Sequence, residues 1–399
     1  MDTPTILPAA RMGRRTFLKR AGIGAGAAVI AGIGGGLVWR SIDQSVFAPG
    51  SGPAYEPWEA DLDGPPPTSL VAAAVLAANA HNTQPWTFAV TDERIDLFAD
   101  HSRTMGTMDA TGRELQLTLG CALENLVLAA RAHGLAPDME LEPDPKDPGH
   151  VATIRLVTAE REASPLYRAI PLRHTNRAAY DTDRAIPSRE LEAITSLADI
   201  DETSLAWLIT SDDLKQFGQM TVDATAAILA DADQARDDFA WYRQDWHEIE
   251  QRRDGITMDA AGLGEPVRTL IRLLPASSQE QMQGGWLDAT RDRHVATAAA
   301  YGLIRVRDRR DRVQLLEAGR LLQRTHLHAT TRGLALQPLN QAFEREDREA
   351  TSAGGVGEFG GRLRDMTPAG WDTVTAFRIG YPTAAAGRSP RRPPSEVVR

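Results

Sequence analysis

Cysteine is nearly absent from this 399-residue chain: Cys121 is the only one, so no intramolecular disulfide can form. Cys121 lies in an apolar helical run, where a buried inert thiol is expected rather than a nucleophile. Excess positive charge is missing too. The formal net charge is −10 and no basic stripe interleaves with aromatics, which argues against a nucleic-acid partner. Metal-ligand spacing is lacking: His247-Glu248 and His326-x-His328 have no third ligand at a recognised distance, so no metal is expected. There is no Gly-x-Ser-x-Gly elbow, which leaves a serine hydrolase without a motif. Gly22-Ile23-Gly24-Ala25-Gly26-Ala27 matches a dinucleotide fingerprint in form only, because no strand precedes it and no βαβ unit follows.

What is present begins at the N-terminus. Gly13-Arg14-Arg15-Thr16-Phe17-Leu18-Lys19 matches the twin-arginine export pattern. An uncharged Ala- and Gly-rich run follows from Ala21 to Val38. As a helix it would be roughly 27 Å long, near the thickness of a hydrocarbon core. A clean Ala-x-Ala cleavage site is wanting, since Val46-Phe47-Ala48 is a poor match. Residues 1–45 are therefore expected to be a signal for the twin-arginine translocase, either removed or kept as a membrane anchor. The protein would be exported, and extracytoplasmic or membrane-anchored. Residues 46–67 read as a linker, opened by Pro49, Gly50, Ser51, Gly52 and Pro53 and closed by Gly64-Pro65-Pro66-Pro67.

The rest has the balance of a soluble globular protein, 42% apolar and 25% charged. A helical start over Ser69–Ala80 leads to a hairpin of strands Thr87–Val90 and Ile95–Phe98. A long helix near Glu114 carries Leu119, Leu123, Leu126, Val127 and Ala130 on one face and ends at Gly134. Short strands are expected at Met139–Leu141 and Val151–Val157. Further on, Ser188 would cap a helix, Leu205–Thr210 would form a strand, and Val313–Arg332 a helix closed by Gly333. Gly120 to Gly134-Leu135 and Gly319 to Gly333-Leu334 share one spacing, with His326 falling where Val127 sits. Two amphipathic helices can echo each other by chance, so this alone does not establish a repeat.

Residues 81–88, His-Asn-Thr-Gln-Pro-Trp-Thr-Phe, are the most informative stretch. Asn82 and Gln84 each offer a carbonyl and an amide to a flat polar heterocycle. Pro85 stiffens the backbone, and Trp86 supplies a broad apolar face. The same residues would serve equally as a loop that packs Trp86 into the core. The stretch resembles the Asn-x-Gln-Pro-Trp flavin-contact motif of the nitroreductase family, in the form of its Acg-type branch. Arg173-His174-Thr175-Asn176-Arg177 resembles that branch's Arg-Arg-Thr-Asn-Arg, and Ser389-Pro390-Arg391-Arg392-Pro393 its C-terminal ending. Two departures stand out: Ala78-Asn79 replaces Pro-Ser before the first motif, and His174 replaces an arginine.

The resemblance implies an α+β fold of two fused nitroreductase-like halves, each a mostly antiparallel sheet packed with helices, forming a pseudo-dimer in one chain. The halves would be residues 68–160 and 161–399. It implies FMN as cofactor, one per chain, held across the halves. Asn82, Gln84, Pro85 and Trp86 would lie beside the ring and ribityl chain. Arg173, Thr175, Asn176, Arg177, Arg391 and Arg392 would grip the phosphate, since guanidinium forks bind phosphate bidentately. FMN carries the electron chemistry, so no catalytic acid–base pair is required, and none is evident. The implied activity is electron transfer from a small-molecule donor to a nitroaromatic, quinone or similar acceptor. The alternative is a non-catalytic protein that sequesters or senses FMN. Trp241–Trp246, followed by Gly255, Gly262 and Gly264, suits either a lid over the flavin or aromatics packed on the core.

Overall fold

A computed structural model describes residues 33–353 and 357–399. The twin-arginine stretch and most of the uncharged run after it lie outside the described residues. Among the described residues no helix is long and apolar enough to cross a membrane.

The first half starts with helix α1 (Thr68–Ala74), shorter than the spacing predicts. Beyond Ala74 the chain turns irregularly to reach the His81 loop. Strands β1 (Trp86–Val90) and β2 (Arg94–Ala99) form the expected hairpin, with Phe88 opposite Leu97. Helix α2 (Arg113–Ala132) follows, then β3 (Leu135–Leu141) and β4 (His150–Thr158). Gly134 ends α2 at φ +74, a conformation that Cβ-bearing residues resist. The four strands make one antiparallel sheet in the order β1-β2-β4-β3.

The second half repeats this order of elements. Helix α3 (Ser188–Thr195) precedes β5 (Thr203–Leu208), β6 (Ala300–Val306), helix α4 (Arg312–Thr331), β7 (Ala335–Pro338) and β8 (Asp372–Gly380). These strands also form an antiparallel sheet, in the order β5-β6-β8-β7. Each sheet therefore runs first, second, fourth, third strand. What joins the first two strands differs. The first half uses a tight turn, and the second inserts residues 209–299. A strand expected over Leu205–Thr210 lies two residues earlier. Ser188 is the first residue of α3 rather than its cap, because Pro187 holds the cap position.

Helices α2 and α4 pack against each other between the sheets. Nearly every residue of α2 is buried, as expected of a helix covered on all sides. The contact is reciprocal. A Cβ on Gly120 would lie 2.1 Å from the Leu316 carbonyl oxygen, and one on Gly319 would lie 2.1 Å from that of Leu117. The offset of 199 residues that relates Gly120 to Gly319 also relates Leu117 to Leu316. Two-fold packing has this property: each partner offers the other the same surface. Apolar residues of both halves merge into one large core. Gln323 links the helices to the site loop: its amide donates to Asn125 Oδ1 and its carbonyl accepts from the Ala78 N–H, at 2.8 and 3.1 Å.

Residues 46–67 do not behave as a linker. Tyr55, Trp58 and Leu62 are buried, and Trp58 donates from Nε1 to the Ser389 carbonyl at 2.7 Å. Prolines and glycines here shape a packed strap, and its aromatics supply the apolar surface that holds it down.

Candidate functional site

Residues 79–85 turn sharply, with His81, Asn82 and Gln84 at φ +47, +57 and +52. Such conformations are unfavourable for residues with a Cβ and persist only where surrounding bonds impose them. Here they do. The Gln84 N–H donates to Asn79 Oδ1 at 2.9 Å, and the Gln84 amide donates to the Arg253 carbonyl at 2.7 Å. Gln84 Oε1 accepts the Arg392 N–H at 2.8 Å. Asn82 donates to the Gly255 and Pro390 carbonyls and accepts from Arg391. The loop is thereby tied to the 209–299 insertion and to the C-terminal tail.

This pattern corrects part of the expected site. Gln84, Pro85 and Trp86 line neither of the cavities nearby. Gln84 spends both ends of its amide on backbone groups, and Trp86 is wholly buried in the shared core. Asn176 is likewise used internally, donating to the Ala384 carbonyl and accepting the Ala178 N–H. Arg392 reaches back to the Gln84 and Glu396 carbonyls. These residues build the frame.

Five others do come together: Asn82, Arg173, Thr175, Arg177 and Arg391 line a small recess beneath Trp58. Arg173 and Arg391 are 2% and 3% exposed, yet no carboxylate is in ion-pair reach of Arg173, Arg177 or Arg391 among the described residues. Arg173 donates to the Leu76 carbonyl and approaches His326 Nδ1, while Arg391 donates to the Ala77 and Pro390 carbonyls. The Nε–H groups of both have no partner among the described residues. Trp58 spreads its face over them, with the guanidinium carbons 5.9 and 4.8 Å from its ring centre. Burial pulls Arg173 down to about 10, and burial together with Arg173 pulls Arg391 well below its ordinary value. Guanidinium stays charged in proteins, so this pull expresses the cost of burying the charge, joined at Arg391 by repulsion from Arg173, and a bound anion would offset both. His174, lodged edge-on against Trp58, is lowered to about 3 by burial and by these arginines. It stays neutral and adds no positive charge where the family pattern has an arginine.

At Thr175 and Arg177 the recess adjoins a cavity of about 540 Å³. That size lies within the ~300–1,000 Å³ of small-molecule sites. Ala78–His81 and α2 furnish one wall, while His294, Gln337 and Asn340 of the second half furnish another. Residues 238–289 of the insertion form the roof, including Tyr242, Met282 and Trp286. The aromatic stretch therefore divides. Tyr242 faces the cavity, whereas Trp246 stacks on Tyr55, 6.3 Å between ring centres. Gly262, at φ +71, lets the insertion touch the Arg177 backbone, where a Cβ would lie 2.2 Å from a carbonyl carbon. Cys121, on the cavity wall, is buried and its thiol pushed up to about 12 by burial, which leaves it unreactive.

Several lining residues escaped sequence reasoning. His81 Nε2 lies 3.0 Å from Asp238 Oδ1, and Asp238 is almost wholly buried with its other oxygen unpartnered. Glu114 and Glu344 are also buried against the cavity. Burial, and next the Glu114 carboxylate, push the Glu344 carboxyl well above the usual range. Trp58 went unnoticed because its segment reads as a linker, although Tyr55 and Trp58 together were a signal against that.

No family model matches the chain. Curated relatives do. A Mycobacterium tuberculosis (H37Rv) protein named "Putative NAD(P)H nitroreductase" is 28% identical over 333 residues, 83% of this chain and 90% of that one. The protein acg of the same strain, similarly named, is 36% identical over 115 residues, 28% of this chain and 35% of its own. Among solved structures, the FMN-dependent nitroreductase NfnB of Mycobacterium smegmatis in complex with NADPH is 15% identical and covers 59% of this chain and 97% of its own. Its TM-score is 0.37, too low to bear on the site.

Proposed function

We infer function from kinship and geometry together: the chain is a homologue of the nitroreductase-family proteins of the Acg type, and it is an oxidoreductase that binds FMN. The observation that carries the cofactor is the recess of buried arginines without a carboxylate. A phosphate of nearly two negative charges would meet the orphaned Nε–H groups of Arg173 and Arg391 and the hydroxyl of Thr175. The adjoining cavity offers apolar walls and amide groups for a flat heterocycle. The residues present thus fit FMN, and Asn82, Arg173, Thr175, Arg177 and Arg391 would hold its phosphate end. FMN supplies the hydride and electron transfer.

The chain's own contribution is to orient and to exclude water. Asn82 braces Arg391, and Trp58 covers the recess. Residues 238–289 cover one side of the cavity, which would strengthen polar contacts on that side. The halves that share this site would form a pseudo-dimer with one FMN per chain, because the Asn82 loop belongs to one half and the arginines to the other.

The relatives' names suggest NAD(P)H as electron donor and a nitro compound as acceptor, and a quinone is a second acceptor that flavin chemistry would allow. The twin-arginine pattern suggests export, where a membrane quinol would replace a cytoplasmic donor. The roof also favours a second reading, a protein that stores or senses FMN with little turnover. The visible spectrum decides between them. The purified protein should absorb near 450 nm, about where oxidised flavin absorbs, and a denatured extract should yield one FMN per chain. Anaerobic NADPH, NADH or a quinol analogue should bleach that band, and a nitroaromatic or quinone should restore it. A bound flavin that none of these donors bleaches would support storage. No band after incubation with FMN would overturn both readings.

A further inference from the structure

The large cavity carries charge of both signs: Arg177 and Arg293 line it together with three carboxyl residues that have no role in holding a phosphate. Arg173 and Arg391 line only the recess, whereas Glu114, Asp238 and Glu344 line only the large cavity. These three carboxyl groups come from α2, from helix Ala232–Phe239 and from helix Gln341–Ala353. They are 3%, 1% and 4% exposed. Their cationic partners are few. Arg113 lies beside Glu114 at 3.2 Å, but its Nε and Nη1 are committed to Asp347 and to the Val374 carbonyl. His81 takes one oxygen of Asp238. Among the described residues Asp238 Oδ2 and Glu344 Oε2 have no hydrogen-bond partner. A buried carboxylate oxygen left bare is unfavourable, so Asp238 Oδ2 marks unmet demand for a donor, most strongly a charged one. Burial and the neighbouring Glu114 hold the Glu344 carboxyl well above its ordinary range, and a cation bound beside it would favour its ionised form. Tyr242 and Trp286 line the same cavity and add aromatic faces, which attract cations and stack on flat rings.

We propose that these carboxyl residues form the acceptor subsite and that they select aromatic electron acceptors bearing a positively charged group, such as an ammonium or amidinium. Asp238 and Glu344 take the charge, and Tyr242 and Trp286 take the ring. As an assignment of substrate class this rests on the FMN reading, but the binding preference it requires does not need flavin.

The test uses the full-length protein and two probes of one shape, 4-nitrobenzylammonium and neutral 4-nitrobenzyl alcohol. Their dissociation constants are read from quenching of tryptophan fluorescence, with flavin bound and after its removal. The ammonium should bind at least about tenfold more tightly, equivalent to about 1.4 kcal/mol. That preference should fall to near unity in Glu344→Gln and Asp238→Asn, both of which keep side-chain shape. With flavin bound, the same preference should appear in kcat/KM for nitro reduction. Equal affinities in the wild-type protein overturn the proposal, whatever the variants do. A preference that survives both substitutions places the cation elsewhere and also overturns it. A protein that takes up no FMN at all, yet prefers the ammonium, would sink the oxidoreductase reading and leave the cation preference standing.

Discussion

Two kinds of buried charge meet at this site, and single residues carry the consequences. Arg391 has a guanidinium under Trp58 with no anion to offset it. Arg391→Ala should therefore remove charge-assisted bonds worth about 1.5–3 kcal/mol each. FMN affinity, followed by flavin fluorescence, should fall roughly ten- to a hundredfold or more. Arg392→Ala should leave it nearly unchanged, because that side chain answers to the Gln84 and Glu396 carbonyls. Equal losses in the two variants would mean that the recess is not the phosphate site. His174 permits a second test at this scale. Its folded value of about 3 lies below the ~6.5 of an unfolded histidine, so only the unfolded chain gains a proton in between. The stability contributed by the neutral ring is complete above about pH 6.5 and is lost as pH falls, by about 1.4 kcal/mol per pH unit. Urea unfolding between about pH 6.5 and 5 should show a slope in the wild-type protein that is one proton steeper than in His174→Phe. Parallel curves would mean the ring is free to ionise in the folded state.

At the scale of elements, the crossing of α2 and α4 decides whether the halves hold together. In an exposed helix, Gly→Ala gains up to about 1 kcal/mol of propensity. At Gly120 or Gly319 the added methyl group would strike a carbonyl oxygen, and overpacking of this kind typically removes about 1–3 kcal/mol. Both substitutions should lower the unfolding midpoint, and by similar amounts because the contacts are reciprocal. Gly284→Ala, where nothing meets the new Cβ, should raise it. A rise at all three positions in a thermal melt would mean the helices are not in contact. The strap and the loop depend on side-chain bonds in the same way. Gln84→Ala would leave the Arg253 carbonyl and the Arg392 N–H unpaired, lowering stability by about 1–3 kcal/mol and loosening the tail that carries Arg391.

The whole molecule makes the site, since neither half contains it. Much of the fold was legible in the chain. The hairpin, α2 with its closing Gly134, and α4 followed from periodicity and turn chemistry, which act over a few residues. The spacing shared by Gly120 and Gly319 hinted at two like halves, and it became a packing statement only once the two helices were seen to exchange carbonyl contacts. The candidate recess draws together only some of the residues that the motifs single out. Arg173, Thr175, Arg177, Arg391 and Asn82 do converge, but Gln84, Pro85, Trp86, Asn176 and Arg392 serve the frame around them. A motif records which residues matter to a site without separating those that would touch a ligand from those that hold the first set in place.

The sequence by itself determined the local elements, the kinship and the residue types that a phosphate-bearing heterocycle would need. Apolar periodicity and turn chemistry along the chain suffice for the elements, and the motif resemblance implies the rest. Only the tertiary structure decided which guanidinium groups lack an anion, that Trp58 in an expected linker covers them, and that Asp238, Glu114 and Glu344 line one cavity. Those facts concern burial and missing partners between residues up to some 300 positions apart in the chain. Whether a charge is unmet depends on everything that surrounds it in space, and the order of residues along the chain does not specify that environment one motif at a time.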